Sequence, residues 1–139
     1  MTTEAKTRIP ALNTPWPEQG GIYIGSRLVN GAVHHVVIAD GGTARDLTGQ
    51  NFKAAQNVQF GEIDGHSDWH AGDQEDHMLA YINGREHFKQ EDDSIYWTRG
   101  EHHGWPWAFD FEDGHCNGNY RYYEFRVRPF RSFPDSSIQ

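Results

Sequence analysis

A chain of 139 residues with net charge −8 and one cysteine excludes an intramolecular disulfide and paired-cysteine zinc motifs. It also disfavours nonspecific phosphate-backbone binding as the primary activity, because that depends on Lys and Arg displacing counterions. The length fits one domain, 1–139, able to bury roughly two-thirds of its unfolded surface. Only 36% of residues are apolar, but 14% are aromatic and 15 are glycine. That mixture describes a loop-rich fold whose core is made of a few large rings, each burying about 150–250 Å².

In chain order, residues 1–20 read as an extended arm, since Pro10, Pro15 and Pro17 forbid a regular helix. Ile9, Leu12 and Trp16 are its packing residues, and Gly20-Gly21 ends it. Residues 22–24 read as a strand. Asn30-Gly31 is a two-residue hairpin turn, because both positions tolerate positive φ. Residues 34–39 form the return strand, and its Val36-Val37-Ile38 run predicts burial on both faces. Within 48–60, Phe52, Ala55 and Val58 recur at a spacing of three, which predicts a short helix capped by Thr48. A loop over 63–72 leads to a second helix. Asp73 is its N-cap, Glu75 and Asp76 sit in the first turn where the helix dipole favours anions, and Met78, Leu79 and Ile82 are its apolar stripe.

Glu91-Asp92-Asp93 reads as a turn, 95–97 as a strand, and 99–104 as a polar loop carrying His102 and His103. Trp105, Trp107, Phe109 and Phe111 then occupy every second position, which predicts four rings on one strand face. Asp113-Gly114 turns the chain, and 115–120 is a Gly/Asn-rich excursion. On the last strand Tyr123, Phe125 and Val127 face one way, with Glu124, Arg126 and Arg128 opposite. Pro129 marks an edge or a strand end.

Three segments carry a family resemblance. The first runs from Ile9-Pro10-Ala11-Leu12 through Trp16-Pro17 to Gly20-Gly21-Ile22-Tyr23. The second is Gly65-His66-Ser67-Asp68-Trp69 with the helix through Leu79. The third comprises Tyr96-Trp97-Thr98, Ala108-Phe109-Asp110-Phe111-Glu112-Asp113-Gly114 and Val127-Arg128-Pro129. In this order the chain resembles the C-type-lectin-like C-terminal domain of collagen-like bacterial adhesins, in its phage and prophage branch. The resemblance implies an α+β, C-type-lectin-like fold: small antiparallel sheets, two helices and long loops that present a binding surface. It also implies a recognition module for sugars or proteins and not an enzyme. The chain departs from the family pattern after Trp69, where His70-Ala71-Gly72-Asp73 replaces Arg-Leu-Pro-Thr, and after Trp97, where Thr98-Arg99 replaces Ser-Ser.

The residues suggest three candidate sites. The first is Asp64, His66, Asp68, His70, Asp73, Asp76 and His77, which offers oxygen and imidazole donors suited to a metal. It fits neither an EF-hand nor a His-Glu-x-x-His pattern, and the six carboxylates between Lys53 and Arg85 (Glu62, Asp64, Asp68, Asp73, Glu75, Asp76) read first as a solvated acidic face. Neither a metal nor a cofactor is expected. The second is Arg99, Glu101, His102, His103, Trp105 and Trp107, extended by Trp69 and His70. A tryptophan can stack on the C–H face of a sugar while polar neighbours bond its hydroxyls, and Trp and Arg also anchor protein interfaces. The third, Cys116 beside His115, resembles a thiolate–imidazole pair only in sequence, since neighbours on a strand point to opposite faces.

The reading is therefore a non-enzymatic binding module of phage or prophage origin, with ligand-binding residues Trp69, His70, Arg99, Glu101, His102, His103, Trp105 and Trp107. Its partner is a carbohydrate or a host protein, with no nucleic acid and no membrane insertion; self-association is left open. With no secretory signal and no apolar run of about 20 residues, the expected location is a virion or the host cytoplasm. The alternative is an intracellular inhibitor that binds a host defence protein through its acidic face. A metal-dependent enzyme is a third reading.

Overall fold

The computed structural model describes residues 9–138. Among them nine strands and two α-helices follow in order: β1 (Thr14–Trp16), β2 (Gly21–Val29), β3 (Ala32–Ala39), β4 (Leu47–Gln50), α1 (Phe52–Gln56), α2 (Gln74–Gly84), β5 (Ile95–His102), β6 (Trp105–Asp110), β7 (Cys116–Gly118), β8 (Phe125–Val127) and β9 (Phe130–Pro134). The architecture is α+β, with two helices and two mostly antiparallel sheets. One sheet has the order β1-β2-β3-β9, the other β4-β8-β5-β6-β7. The single parallel contact among the described residues joins β5 to β8 at Tyr96 and Arg126.

The first sheet is built on the Asn30-Gly31 turn, whose φ angles of 51° and 82° are those its sequence predicts. Strands β2 and β3 pair on either side of it, from Val29 with Ala32 out to Gly21 with Ala39. The arm supplies β1, an edge strand on β2, where Pro15 is tolerated because it faces no partner on its open side. Of the three arm residues expected to pack, Trp16 is buried while Ile9 and Leu12 are exposed; the first eight residues of the predicted arm lie outside the described residues. Pro129 ends β8 as expected, but the chain does not stop pairing there. Strand β9 begins at the next residue and crosses to the other sheet to pair with β3, setting Phe130 opposite Ile38 and Phe133 opposite His35.

Alternation along β3 is what joins the layers. Val36 and Ile38 face a core that also holds Ile22, Ile24, Ala80, Phe88, Tyr96, Phe109, Phe111 and Phe130. Val37 and Ala39 face a second core with Trp16, Tyr23, Ile63, Trp69 and Phe133. A third core packs α1 against the far side of the second sheet through Phe52, Ala55, Trp97, Ala108 and Val127. Both-face burial of 36–38 is thus observed.

The helices depart from their sequence reading in two ways. The cap of α1 is Asn51, whose Oδ1 accepts the Ala54 N–H at 2.9 Å, while Thr48 lies in β4. In α2, Asp73 is the N-cap and Asp76 reaches back to accept its N–H at 2.9 Å. The buried face, however, is Asp76, His77, Ala80 and Gly84; Met78 and Ile82 are exposed and Leu79 is half-buried. Hydropathy misplaces this face because the two polar residues on it are bought off locally: Asp76 by Arg27 at 2.8 Å, and His77 by the Asp73 carbonyl at 2.9 Å.

A buried charge cluster ties β4, β5 and β8 of the second sheet together. The Asp46 carboxylate accepts from Arg128 Nε at 2.6 Å, Arg126 Nη1 at 3.1 Å and the Tyr96 hydroxyl at 2.5 Å. Both Asp46 and Arg128 are fully buried, and the Arg128 guanidinium lies 4.2 Å from the Phe88 ring centre. Burial and the Asp46 charge hold the Tyr96 hydroxyl well above its ordinary pKa.

Candidate binding surface

The surface is the far end of the β5–β6 hairpin. Near its base the strands are in register, with Tyr96 opposite Phe109 and Trp97 opposite Ala108. The register then shifts between Trp97 and Glu101. Thr98 holds this irregularity: its hydroxyl donates to the Trp107 carbonyl at 2.8 Å and accepts the Gly100 N–H at 3.1 Å. Pairing resumes at Glu101 with Pro106 and His102 with Trp105. His103 and Gly104 form the turn with φ of 52° and 81°. The expected polar loop over 99–104 is therefore mostly strand. A bulge hides the alternation, and a His-Gly turn is a weaker sequence signal than Asn-Gly or Asp-Gly.

The four alternating rings of 105–111 divide by depth. Phe109 and Phe111 are fully buried, Trp107 is half-buried, and Trp105 is 50% exposed. Trp107 meets His102 edge-on at 5.4 Å. Strand β7 can lie against Trp105 because residue 118 is glycine; a Cβ there would stand 2.9 Å from Trp105 Cβ.

Beside Trp105 the chain lays down Tyr120-Arg121-Tyr122-Tyr123. Tyr120 packs on Trp105 with ring centres 5.6 Å apart and stacks on Tyr122 at 5.6 Å with planes 13° apart. Tyr123 meets both tyrosines edge-on. Tyr122 is 72% exposed, and Tyr120 and Tyr123 are also exposed. The tyrosine segment is held from below. The Phe52 N–H donates to the Arg121 carbonyl at 3.1 Å, and the Arg121 guanidinium pairs with Glu101 while donating to the Gly104 carbonyl at 3.3 Å.

Three depressions surround this tip. One of about 280 Å³ lies among Trp105, Pro106, Tyr120 and Tyr122. A second, about 360 Å³, shares Arg121 and Tyr122 with it and is completed by Asn51, Lys53 and Gln56. The third, about 190 Å³, lies by the start of α2 and is polar, with Gln74, Glu75, Glu101, His102 and Trp107 among its walls.

The structure brings Glu101, His102, His103, Trp105 and Trp107 together at the tip and separates them from the rest of the expected set. Trp69 is a core residue, 4% exposed, with its indole N–H shared between the Ile63 and His66 carbonyls. His70 is half-buried, donates through Nδ1 to the Ala71 carbonyl at 2.7 Å, and has its pKa lowered by burial. Arg99 clamps the cap of α2, with Nε 2.8 Å from Asp73. Trp69 and His70 therefore act in packing, whereas Arg99 stays exposed while it pairs with Asp73.

The acidic block is likewise divided. Asp68 pairs with Arg131, Asp73 with Arg27 and Arg99, and Asp76 with Arg27, and those partners hold Asp68 and Asp73 below the ordinary carboxylate range against the opposing effect of burial. Glu62, Asp64, Asp68 and Glu75 are exposed, while Asp73 is half-buried and Asp76 buried, so most but not all of the block is a solvated face. Among the described residues no three His, Cys, Asp or Glu side chains gather as a metal site. The Cys116 thiol is pushed up to about 11 by burial and by Glu75, the opposite of an activated thiolate.

One further array has the donor order of a hydrolytic triad. Asp135 accepts from His35 Nε2 at 2.8 Å, Nδ1 of that ring accepts from Ser26 at 2.7 Å, and Ser26 accepts from the Tyr23 hydroxyl at 2.6 Å. The imidazole, however, is buried among Trp16, Tyr23 and Phe133. The array is a clasp fastening the C-terminal turn to the first sheet.

The sequence reading missed Tyr120, Tyr122 and Lys53, and placed Tyr123 on the last strand with Phe125 and Val127, whereas that strand begins at Phe125. A signal was present: three tyrosines within four residues, after Asn117-Gly118-Asn119, cannot all enter one strand face. Tyr, Asn, Gly and Arg together are also the composition of antibody contact loops. No protein-family model matches this chain, and no curated protein matches it. Among the described residues no helix is long and apolar enough to cross a membrane.

Proposed function

We propose that this chain is a recognition domain of the C-type-lectin-like class, of phage or prophage origin, which binds a surface glycan through the tip of its β5–β6 hairpin and the adjoining tyrosine segment. The observation that carries the reading is the exposed, mutually packed set Trp105, Tyr120, Tyr122 and Tyr123. Exposed rings cost nothing to folding when scattered, but a contiguous cluster of them marks an interaction site. These rings are also pre-ordered by one another, which lowers the entropy lost on binding. The α+β architecture with two helices and mostly antiparallel sheets is compatible with the class, and the phage branch follows from the sequence resemblance alone.

Carbohydrate is favoured over protein because Tyr120 and Tyr122 alternate with the hydrogen-bonding side chains of Asn119 and Arg121 along the depression. The acidic-face inhibitor reading is weaker, since Asp68, Asp73 and Asp76 are already paired with arginines. A broad glycan array tests the proposal. Wild type is expected to give sugar-specific signals that fall in Trp105→Ala and Tyr122→Ala, both of which keep the wild-type melting curve. Absence of any sugar-specific signal, with capture of a defined host protein that survives both substitutions, would remove it.

A further inference from the structure

Charge distinguishes the groove at the tip from the other depressions of this acidic molecule. The cleft beside α2 is lined by Asp73, Glu75 and Glu101. The one beside β1 is lined by Asp40 and Asp64. The one at the start of β5 is lined by Asp92, Asp93, Asp110, Glu112 and Glu124. The paired depressions around Tyr122 have no carboxylate among their described lining residues and carry Lys53 and Arg121 instead. In a chain of net charge −8, this is a local reversal of sign at the point where the aromatic rings are most exposed.

The two halves of the groove differ in chemistry. On one side Trp105, Pro106, Tyr120 and Tyr122 offer apolar faces. On the other, Lys53 supplies an ammonium, Asn51 and Gln56 supply amides, and Arg121 and Tyr122 form the shared wall. The Arg121 charge is partly met by Glu101, so Lys53 is the main cation facing this half. The two halves together measure about 280 and 360 Å³, a groove for a short chain of rings and not for one small ion.

We propose that the groove selects an acidic oligosaccharide, with sugar rings stacked on Trp105, Tyr120 and Tyr122 and a sugar carboxylate held by Lys53 with Asn51, Gln56 and Arg121. This rests on the glycan-binding reading above and narrows it to carboxylated sugars. A single-stranded nucleic acid would also stack on exposed rings, but its phosphates need a track of cations, and this groove has two within an acidic surface. One carboxylate per sugar ring matches the charge that is present.

The test is a titration of the intact protein at low salt against matched pairs: oligogalacturonate with its carboxyl-reduced form, and sialyllactose with lactose. A single-stranded oligonucleotide serves as a third arm. The acidic member of at least one pair is expected to bind about fivefold tighter than its neutral partner, the scale of one exposed ion pair. That preference should shrink with added salt and disappear in Lys53→Ala. Tyr122→Ala should weaken both members. Equal affinity for acidic and neutral members overturns this inference and leaves the glycan reading standing. Loss of all sugar binding overturns both. Tighter binding of the oligonucleotide than of any sugar overturns the inference in favour of nucleic acid.

Discussion

The base and the tip of one hairpin use the same residue types for opposite ends. At the base, Trp97, Phe109 and Phe111 are fully buried. Phe111 stacks on Phe88 at 4.1 Å with parallel planes, and the Trp97 indole N–H donates to the Gln50 carbonyl at 2.8 Å. At the tip, four residues from Phe109 along β6, Trp105 faces solvent together with its tyrosine neighbours from the segment after β7. The difference lies in what each ring can reach. At the base both faces of the sheet are covered, one by the core shared with the first sheet and α2, the other by α1. Past the bulge at Thr98 the strands run beyond the covering elements, and the rings pack mainly on one another, with β7 against Trp105 and Tyr123 edge-on to Phe125 at 5.9 Å. Identical local chemistry therefore contributes stability where it is enclosed and leaves a contact surface where it is not.

The strongest way to break the comparison is to remove enclosed groups. Asp46→Ala would strand the buried Arg128 and is expected to cost about 3–5 kcal/mol, read as a drop in the denaturant midpoint. Phe109→Ala is expected to cost about 3–5 kcal/mol by leaving a cavity in the core. A loss below about 1 kcal/mol in either would mean the base is not the anchored half. Trp105→Ala should change folding stability by less than about 0.5 kcal/mol while costing about 2 kcal/mol or more of glycan affinity. If it unfolds the protein instead, the tip is core and the contrast fails.

Acid separates the regions in a second way. His77 is fully buried against Phe130, at 4.7 Å between ring centres. Its Nε2 has no partner among the described residues, and burial lowers its pKa. The unfolded chain takes up this proton near about pH 6.5, whereas the folded chain does not until lower pH. Stability is thus complete above that value and declines as pH falls through it, by up to about 1.4 kcal/mol per pH unit for one site. His70, also lowered by burial, adds in the same sense. Asp68 and Asp73, whose pKa values are lowered, retain their contribution until pH falls below about 4. A series of melts from pH 7.5 to 5 is expected to slope downward, with a shallower slope in His77→Phe; an unchanged slope would remove His77 as the cause. The smallest expected loss among the enclosed groups is in Asp135→Ala, which opens the clasp on His35 and should cost about 1 kcal/mol, read as a drop in the denaturant midpoint.

Particular residues show what a linear reading can reach. Asn30-Gly31 and the Asp73 cap were legible because their signals are local: a φ preference and a side chain within reach of its own helix. The both-face burial of 36–38 was legible because a run of branched residues has few other uses. Thr48 was misread as a cap because Asn51, three residues on, does the same job closer to Phe52. The apolar stripe of α2 was misread because hydropathy counts Asp76 and His77 as outward, and only Arg27, forty-nine residues from Asp76, makes an inward carboxylate tolerable.

At the candidate surface, composition announced Glu101, Trp105, Trp107, His102 and His103, but placed Trp69 and His70 among them when their partners draw them inward, and Arg99, which stays exposed but is taken up by Asp73. The sequence by itself determined an aromatic, mostly antiparallel α+β fold and where several turns fall, because turn chemistry and alternation act over a few residues. Which rings stay in water, which carboxylates meet arginines, and that Lys53 joins Tyr122 across about seventy residues of chain were decided only by tertiary structure, since exposure and pairing depend on segments that the sequence keeps far apart.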